Sequence, residues 1–312
     1  MDTTLKTHAS TYSTIITAED YNQIITEQHL YIAHADRVIR DLIECERDVR
    51  GGREVVELGC GPARLLPLFS SIIGVHLTGV DYDAKFVEYA RKKMLSLEIV
   101  LADVATYRHP KEVDVFVSHG FHHHVVKGEM TSDYLRNVYS QLRMGGAYIV
   151  GDEFLPAYGS EDARKVKAVV WYSHIIAAAQ KMNYSYLAQE EAKTLLDDLF
   201  EGDAAEHWKN SLQIEYVLES ARVINSLAMR KNIDGAEERA GELLNELYRL
   251  EDVVESEKSK VDLSLGLSRG DFKICERVFH SEVESVGFSV EKKVRIGPRV
   301  DIGAMGVYVL RK

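Results

Sequence analysis

The chain has 312 residues, 46% of them hydrophobic and 28% charged, which is enough apolar material for one large core or a core with an insert. A formal net charge of −11 argues against a broad surface for nucleic acid or anionic lipid, and no stretch reaches the roughly 18 apolar residues of a membrane span. Cys45, Cys60 and Cys275 are widely separated and odd in number, without zinc or disulfide spacing, and MDTTLKTHASTYST lacks the basic end and apolar run of a signal peptide, so a soluble cytoplasmic protein with a small-molecule partner is expected.

Along residues 19–45, Ile24, Ile32, Val38, Ile39, Leu42 and Ile43 recur at the spacing of an amphipathic helix. Strands are then predicted at Glu54–Leu58, His76–Val80, Leu97–Leu101, Val113–Ser118 and Ala147–Gly151. Between them DAKFVEYARKKM and SDYLRNVYSQLRMGG read as helices, the second ending at its glycines. Short apolar strands alternating with helices imply an α/β protein whose parallel sheet is covered on both faces.

The rhythm changes after Phe154, and residues 161–260 carry helical patterns with hardly a strand signal. Val217, Ala221, Ile224 and Ala228 form one apolar stripe, and Leu243, Leu247, Leu250 and Val254 another. The turn Asn232-Ile233-Asp234-Gly235 between them predicts a helical hairpin. The acidic run EERAGELLNELYRLEDVVESE reads as a solvated helix face. FKICERVFHSEVESVGF is predicted helical, and FSVEKKVRI and AMGVYVLRK are predicted strands joined through Gly297-Pro298 and Gly303. The expected divisions are N-terminal helices over 1–50, a core over 51–160, a helical insert over 161–262 and a return to the core over 263–312.

The stretch VVELGCGPARL feeds a strand into a glycine turn, where backbone lacking a Cβ can approach a ligand closely. A dinucleotide site would need G-x-G-x-x-G, and Arg64 stands at the third glycine position, so NAD is disfavoured. Asp81 closes the second strand about twenty residues further on, where a carboxylate can accept hydrogen bonds from both hydroxyls of a ribose.

Glu57, Gly59 and Gly61 resemble motif I of class I S-adenosylmethionine-dependent methyltransferases, an acid followed by x-G-x-G, with Ala63 where that family often has a third glycine. The resemblance covers roughly residues 50–155 and 271–312. It implies a doubly wound, Rossmann-like sheet of seven strands, mostly parallel with the last antiparallel, and S-adenosylmethionine as cofactor. By the same resemblance Asp81, with Tyr82 beside it, holds the adenosyl ribose; Asp103 lies beside the adenine amino group and Val104 adds a backbone contact; His119 and Gly120 meet the methionyl portion. The competing structural reading is that Asp81 and Asp103 merely cap helices or turns.

Acceptor chemistry is expected beyond the fourth and fifth strands, from His123 in the run Phe121-His122-His123-His124, from Asp152 and Glu153, and from Tyr172 and His174 beside Trp171 on the following helix. An imidazole poised near neutral pH can deprotonate a hydroxyl, amine or acidic carbon, and a carboxylate can orient it. The three histidines and two acids also fit a divalent cation on paper, but consecutive histidines cannot all point one way, and no metal is expected. Tyr12 is a candidate to lie on the sulfonium through a cation–π contact, against a bland surface role.

The tetrapeptide Ser118-His119-Gly120-Phe121 departs from the Asn/Asp-Pro-Pro-Tyr of DNA and some protein amine methyltransferases, and the insert occupies the place of a lid in small-molecule methyltransferases. GDEFLPAY and GDFKICERVFHSEVESVGF look similar to enzymes of microbial secondary metabolism, including some that alkylate amino-acid-derived α-keto acids at carbon. The expected activity is methyl transfer to a small molecule. The alternatives are cyclisation of S-adenosylmethionine to azetidine-2-carboxylate with release of methylthioadenosine, or an idle subunit that binds a protein partner. A homodimer is left open.

Overall fold

The computed structural model of the chain describes residues 17–28, 30–125, 129–199, 211–258, 273–299 and 301–312. Helices Ala18–Gln28 (α1) and Leu30–Arg50 (α2) precede the first strand, where the sequence pattern suggested a single helix. The strands are Glu54–Leu58 (β1), His76–Asp81 (β2), Glu98–Leu101 (β3), Val113–His119 (β4), Leu142–Leu155 (β5), Ser289–Arg299 (β6) and Gly303–Arg311 (β7). Interleaved with them are Leu66–Phe69 (α3), Ala84–Lys93 (α4) and Glu129–Gln141 (α5).

The strand order is β3-β2-β1-β4-β5-β7-β6. β1 runs parallel to both β2 and β4, β2 to β3 and β4 to β5, while β7 is antiparallel to β5, from Ala147 opposite Arg311 to Phe154 opposite Ala304. The order reverses between β1 and β4, so a crevice opens at the carboxyl ends of those strands. This is the seven-stranded, doubly wound α/β sheet expected from the sequence.

Strand residues alternate between the two faces. Val55, Val117, Ile149, Val307 and Val309 join Ala35, Ile39, Leu42 and Ile43 of α2 in one apolar cluster. On the alternate positions Tyr148 meets Tyr134 edge-on, and Tyr308 and Phe154 pack against Phe279 of a further helix, Glu276–Val286. A sheet covered on both faces explains why β1, β4 and β5 read as nearly continuous apolar runs.

Three expectations are corrected. The segment Leu142-Arg143-Met144-Gly145-Gly146 is extended and opens β5, because Gly146 sits where a Cβ would be 2.9 Å from the Arg143 carbonyl and 3.0 Å from that of Asp114. Glu276 begins the last helix, after a two-residue extended stretch at Ile274–Cys275. Gly297 and Pro298 lie inside β6 rather than in a turn, tolerated because β6 is the edge of the sheet.

The described part of the chain divides into two compact units, one built on residues 155–275, the other comprising the sheet with its flanking helices. In the first, helices Glu161–Lys181 (α6), Ser185–Leu199 (α7), Ser211–Met229 (α8) and Ile233–Lys258 (α9) pack together, with Val217, Ala221, Ile224 and Ala228 buried along α8 and Leu243 and Leu247 along α9. The Asn232 side chain accepts from Gly235 N at 3.1 Å and so starts α9, which places Gly235 in its first turn. Arg164 and Asp198 form a buried ion pair at 2.9 Å. Among the described residues no helix is long and apolar enough to cross a membrane, and Cys45, Cys60 and Cys275 are free thiols.

Asp114 ties the entrances of three strands together. It accepts hydrogen bonds from the backbone N–H groups of Arg53 (2.7 Å) and Glu54 (2.9 Å) and pairs with Arg143. Asp114→Ala is expected to cost about 2 kcal/mol of stability; an unchanged urea midpoint would show that water replaces the carboxylate completely.

Candidate functional site

The crevice at the switch point is built around the turn after β1. Gly59, Gly61 and Ala63 all have positive φ, +67°, +53° and +61°. Gly59 N and Cys60 N both donate to the carbonyl of Val80, at 2.8 and 3.1 Å, which stitches the turn to the end of β2. The two glycines are needed for different reasons. A Cβ on Gly59 would stand 2.1 Å from the Phe121 ring, whereas one on Gly61 would meet only Phe86, at 3.8 Å, so Gly61 is fixed by its backbone angle and leaves open space beside it. Ala63 holds the left-handed conformation despite its Cβ, at a cost of about 1–2 kcal/mol.

Asp81 is buried at the end of β2 and accepts from Gly61 N at 2.7 Å and Asp83 N at 2.8 Å. Burial pushes its carboxyl up to about 6, against the pull of those amides. It does not cap the next helix; Asp83 does, accepting from Lys85 N and Phe86 N. Tyr82 beside it is 47% exposed, its hydroxyl pushed up by partial burial and by Asp81. Asp103 does close a turn, its Oδ1 accepting from Ala105 N at 2.8 Å, and the carbonyl of buried Val104 is bonded to Asn137. Gly120 has φ +62° and donates to the Gly151 carbonyl at 2.8 Å, bending the chain away at the end of β4.

Sequence reasoning missed a charged cluster beside the turn. Asp36 reaches in from α2 and takes both arms of the Arg64 guanidinium, at 2.5 and 3.1 Å, while His119 Nδ1 lies 2.9 Å from its other flank. Burial opposes the charge on Asp36, but His119 and Arg64 together hold its carboxyl below the usual range. Glu57 is 3% exposed, and its Oε2 has no hydrogen-bond partner among the described residues. Burial, with the neighbouring charges of Asp36 and Asp81, pushes it up to about 8 despite Arg64. The only signal for Asp36 was an acid on the flank of an amphipathic helix. Tyr12 lies outside the described residues; Tyr21 on α1 places its ring 5.6 Å from that of Phe86, the residue beside Gly61.

The histidine run forms a short 3-10 turn, His122–His124. His122 is fully buried edge-on against Phe279, with ring centroids 4.9 Å apart, and belongs to the core. His123 Nδ1 lies 2.6 Å from Asp152 Oδ1, and its backbone N donates to Oδ2 at 3.2 Å. Glu153 N also donates to Asp152, at 2.7 Å. Although Asp152 is 1% exposed and burial works against its charge, His123 holds its carboxyl far below the ordinary range. The His124 ring centroid lies 4.0 Å from that of His123, with the planes tilted by 51°. Among the described residues no three or more histidine, cysteine, aspartate or glutamate side chains converge on a cation site. Tyr172 and His174 belong to the helical unit: Tyr172 is buried with Lys273 Nζ 5.4 Å from its ring centre, and His174 Nδ1 is 3.2 Å from Asn225 Oδ1.

Residues 55–146 match the family model described as a methyltransferase domain. This segment is therefore similar to methyltransferase domains. The match begins at β1 and ends in β5, so it contains the glycine turn, Asp81, Asp103 and the histidine turn but neither Asp36 nor Asp152. No curated protein matches the sequence. Among solved structures, DesVI from Streptomyces venezuelae is similar over 46% of this chain and 60% of its own, at 18% identity and TM-score 0.39. CalS10, an amino pentose methyltransferase from Micromonospora echinaspora, is similar over 47% and 61%, at 14% identity and TM-score 0.39. The 1,6-didemethyltoxoflavin-N1-methyltransferase of Burkholderia thailandensis is similar over 96% and 85%, at 11% identity and TM-score 0.47. This chain thus spans less than two thirds of the length of the first two.

The contrast between the glycines can be measured. Gly59→Ala is expected to cost about 3 kcal/mol or more through strain and the Phe121 clash, and Gly61→Ala about 1 kcal/mol through strain alone. Equal losses in urea unfolding would show that Phe121 yields freely.

Proposed function

We propose that the chain binds S-adenosylmethionine across the carboxyl ends of β1, β2 and β4 and transfers its methyl group to a small-molecule acceptor. The observation that carries this reading is the bond from Gly61 N to Asp81, which joins the open glycine turn to a strand-end carboxylate in one cradle. The unpartnered Oε2 of Glu57 and the space beside Gly61 fit such a ligand. Asp81 and Tyr82 would hold the ribose, Asp103 and Val104 the adenine, and Glu57, Gly59, His119 and Gly120 the amino-acid end. When bound, the cofactor supplies a methyl group already activated by its sulfonium, so the protein has chiefly to align an acceptor, exclude water and manage one proton.

His123 is the proposed proton acceptor. A buried carboxylate at Nδ1 fixes the tautomer that carries its proton there and places the basic lone pair on Nε2. The backbone N–H of His123 and that of Glu153 complete the shell of Asp152, so the pair is held on two successive segments of the sheet. Such a base suits an acceptor whose hydroxyl, amine or acidic carbon loses a proton as it is methylated, and the net charge of −11 suits a small acceptor better than nucleic acid. The GDEFLPAY string around this acid supports an acceptor of microbial secondary metabolism. Tyr172 and His174 take no part in this reading.

The test is incubation with S-adenosylmethionine alone and then with small acids and amines, with both sulfur products read by mass spectrometry. Adenosylhomocysteine that appears only with an acceptor is expected. Methylthioadenosine without acceptor would replace methyl transfer by cyclisation, and neither product would leave an idle binding subunit. With an acceptor in hand, His123→Ala is expected to lower kcat about 10²–10⁴-fold and Asp152→Asn about 10–100-fold, with cofactor affinity unchanged in both.

A further inference from the structure

Among the described residues, Glu57 lies within a set of titratable groups brought together by several segments. The glycine turn brings Arg64 and the buried thiol of Cys60, α2 brings Asp36, β2 brings Asp81, and His119 of β4 stands against Asp36. Tyr21 on α1 adds to the field at Arg64. Arg64 is the cation of this set, and its guanidinium is committed to both oxygens of Asp36, at 2.5 and 3.1 Å. Glu57 Oε2 is left buried without a hydrogen-bond partner among the described residues. A buried carboxyl in that position is completed either by a proton or by a cation from outside.

Resting on the reading that the crevice holds S-adenosylmethionine, we propose that Asp36 keeps Arg64 away from Glu57, so that Glu57 carries a proton until the ligand's ammonium group arrives and then releases that proton to solvent. The step balances as a neutral carboxyl and an ammonium becoming a carboxylate–ammonium pair plus one solvated proton. The free protein's carboxyl, pushed up to about 8 by burial and by Asp36 and Asp81, agrees with this geometry. The linkage sign follows. A value raised above the ordinary 4.5 means that the contribution of Glu57 to stability is complete below pH 4.5 and is lost as the pH rises through 8. Asp36 is therefore a positioning residue that acts through Arg64.

Calorimetry of the full chain at pH 7, in buffers of different ionisation enthalpy, reads the proton directly. Adenosylhomocysteine, which keeps the ammonium group, should release more than half a proton per site, and methylthioadenosine, which lacks the amino-acid end, should release none. Glu57→Gln should bind adenosylhomocysteine more weakly and release none. Asp36→Asn, in which Arg64 is free to pair with Glu57, should release less than half the wild-type amount. Binding of adenosylhomocysteine to the wild type with less than half a proton released, equal release with methylthioadenosine, or undiminished release in Asp36→Asn would overturn the proposal. Failure of the wild type to bind adenosylhomocysteine would instead overturn the cofactor assignment beneath it.

Discussion

The carboxylate of Asp81 accepts hydrogen bonds from Gly61 in one turn and from Asp83 in another, and the geometry of the crevice depends on that double contact. It holds the left-handed turn after β1 against the end of β2, with Val80 accepting two further amides of the same turn. A carboxylate has about four acceptor positions, so two amides leave it able to receive more. The strain at Ala63 is sustained because strands with apolar faces fix both ends of the turn.

Buried carboxylates in this unit behave in opposite ways because their partners differ. Asp152 and Glu57 are both almost inaccessible to solvent. Asp152 has the imidazole of His123 and two backbone N–H groups and stays charged. Glu57 has a guanidinium nearby that is already committed to Asp36, and burial prevails. The same low-dielectric surroundings thus leave one acid an anion held by its partners and push the other toward its neutral form.

The sheet was legible because local chemistry decides it. β1 is bounded as its apolar run suggests, and β2 and β4 each extend one residue beyond theirs. The glycine turn and Asp81 were legible for the same reason, since positive φ and a strand-end acid leave marks in a few consecutive residues. What was not legible depends on distance along the chain. Asp36 and Arg64 are 28 residues apart, and His123 and Asp152 are 29 apart; neither pairing leaves a periodic pattern. Gly145-Gly146 resembled a helix end, yet Gly146 admits two carbonyls that no other residue would tolerate so close. Pro298 resembled a turn, and only the position of its strand at the sheet edge explains why it is not one. His123 was singled out from its run in the sequence, but its bond to Asp152, between residues 29 apart, was not.

The account stands or falls on where an adenosyl ligand sits. A crystal structure of the chain with adenosylhomocysteine should place both ribose hydroxyls about 2.6–3.0 Å from the Asp81 oxygens, with the glycine turn unchanged beneath them. An empty crevice at saturating ligand, or a ligand bound elsewhere while Asp81 keeps only its two amide partners, would contradict it.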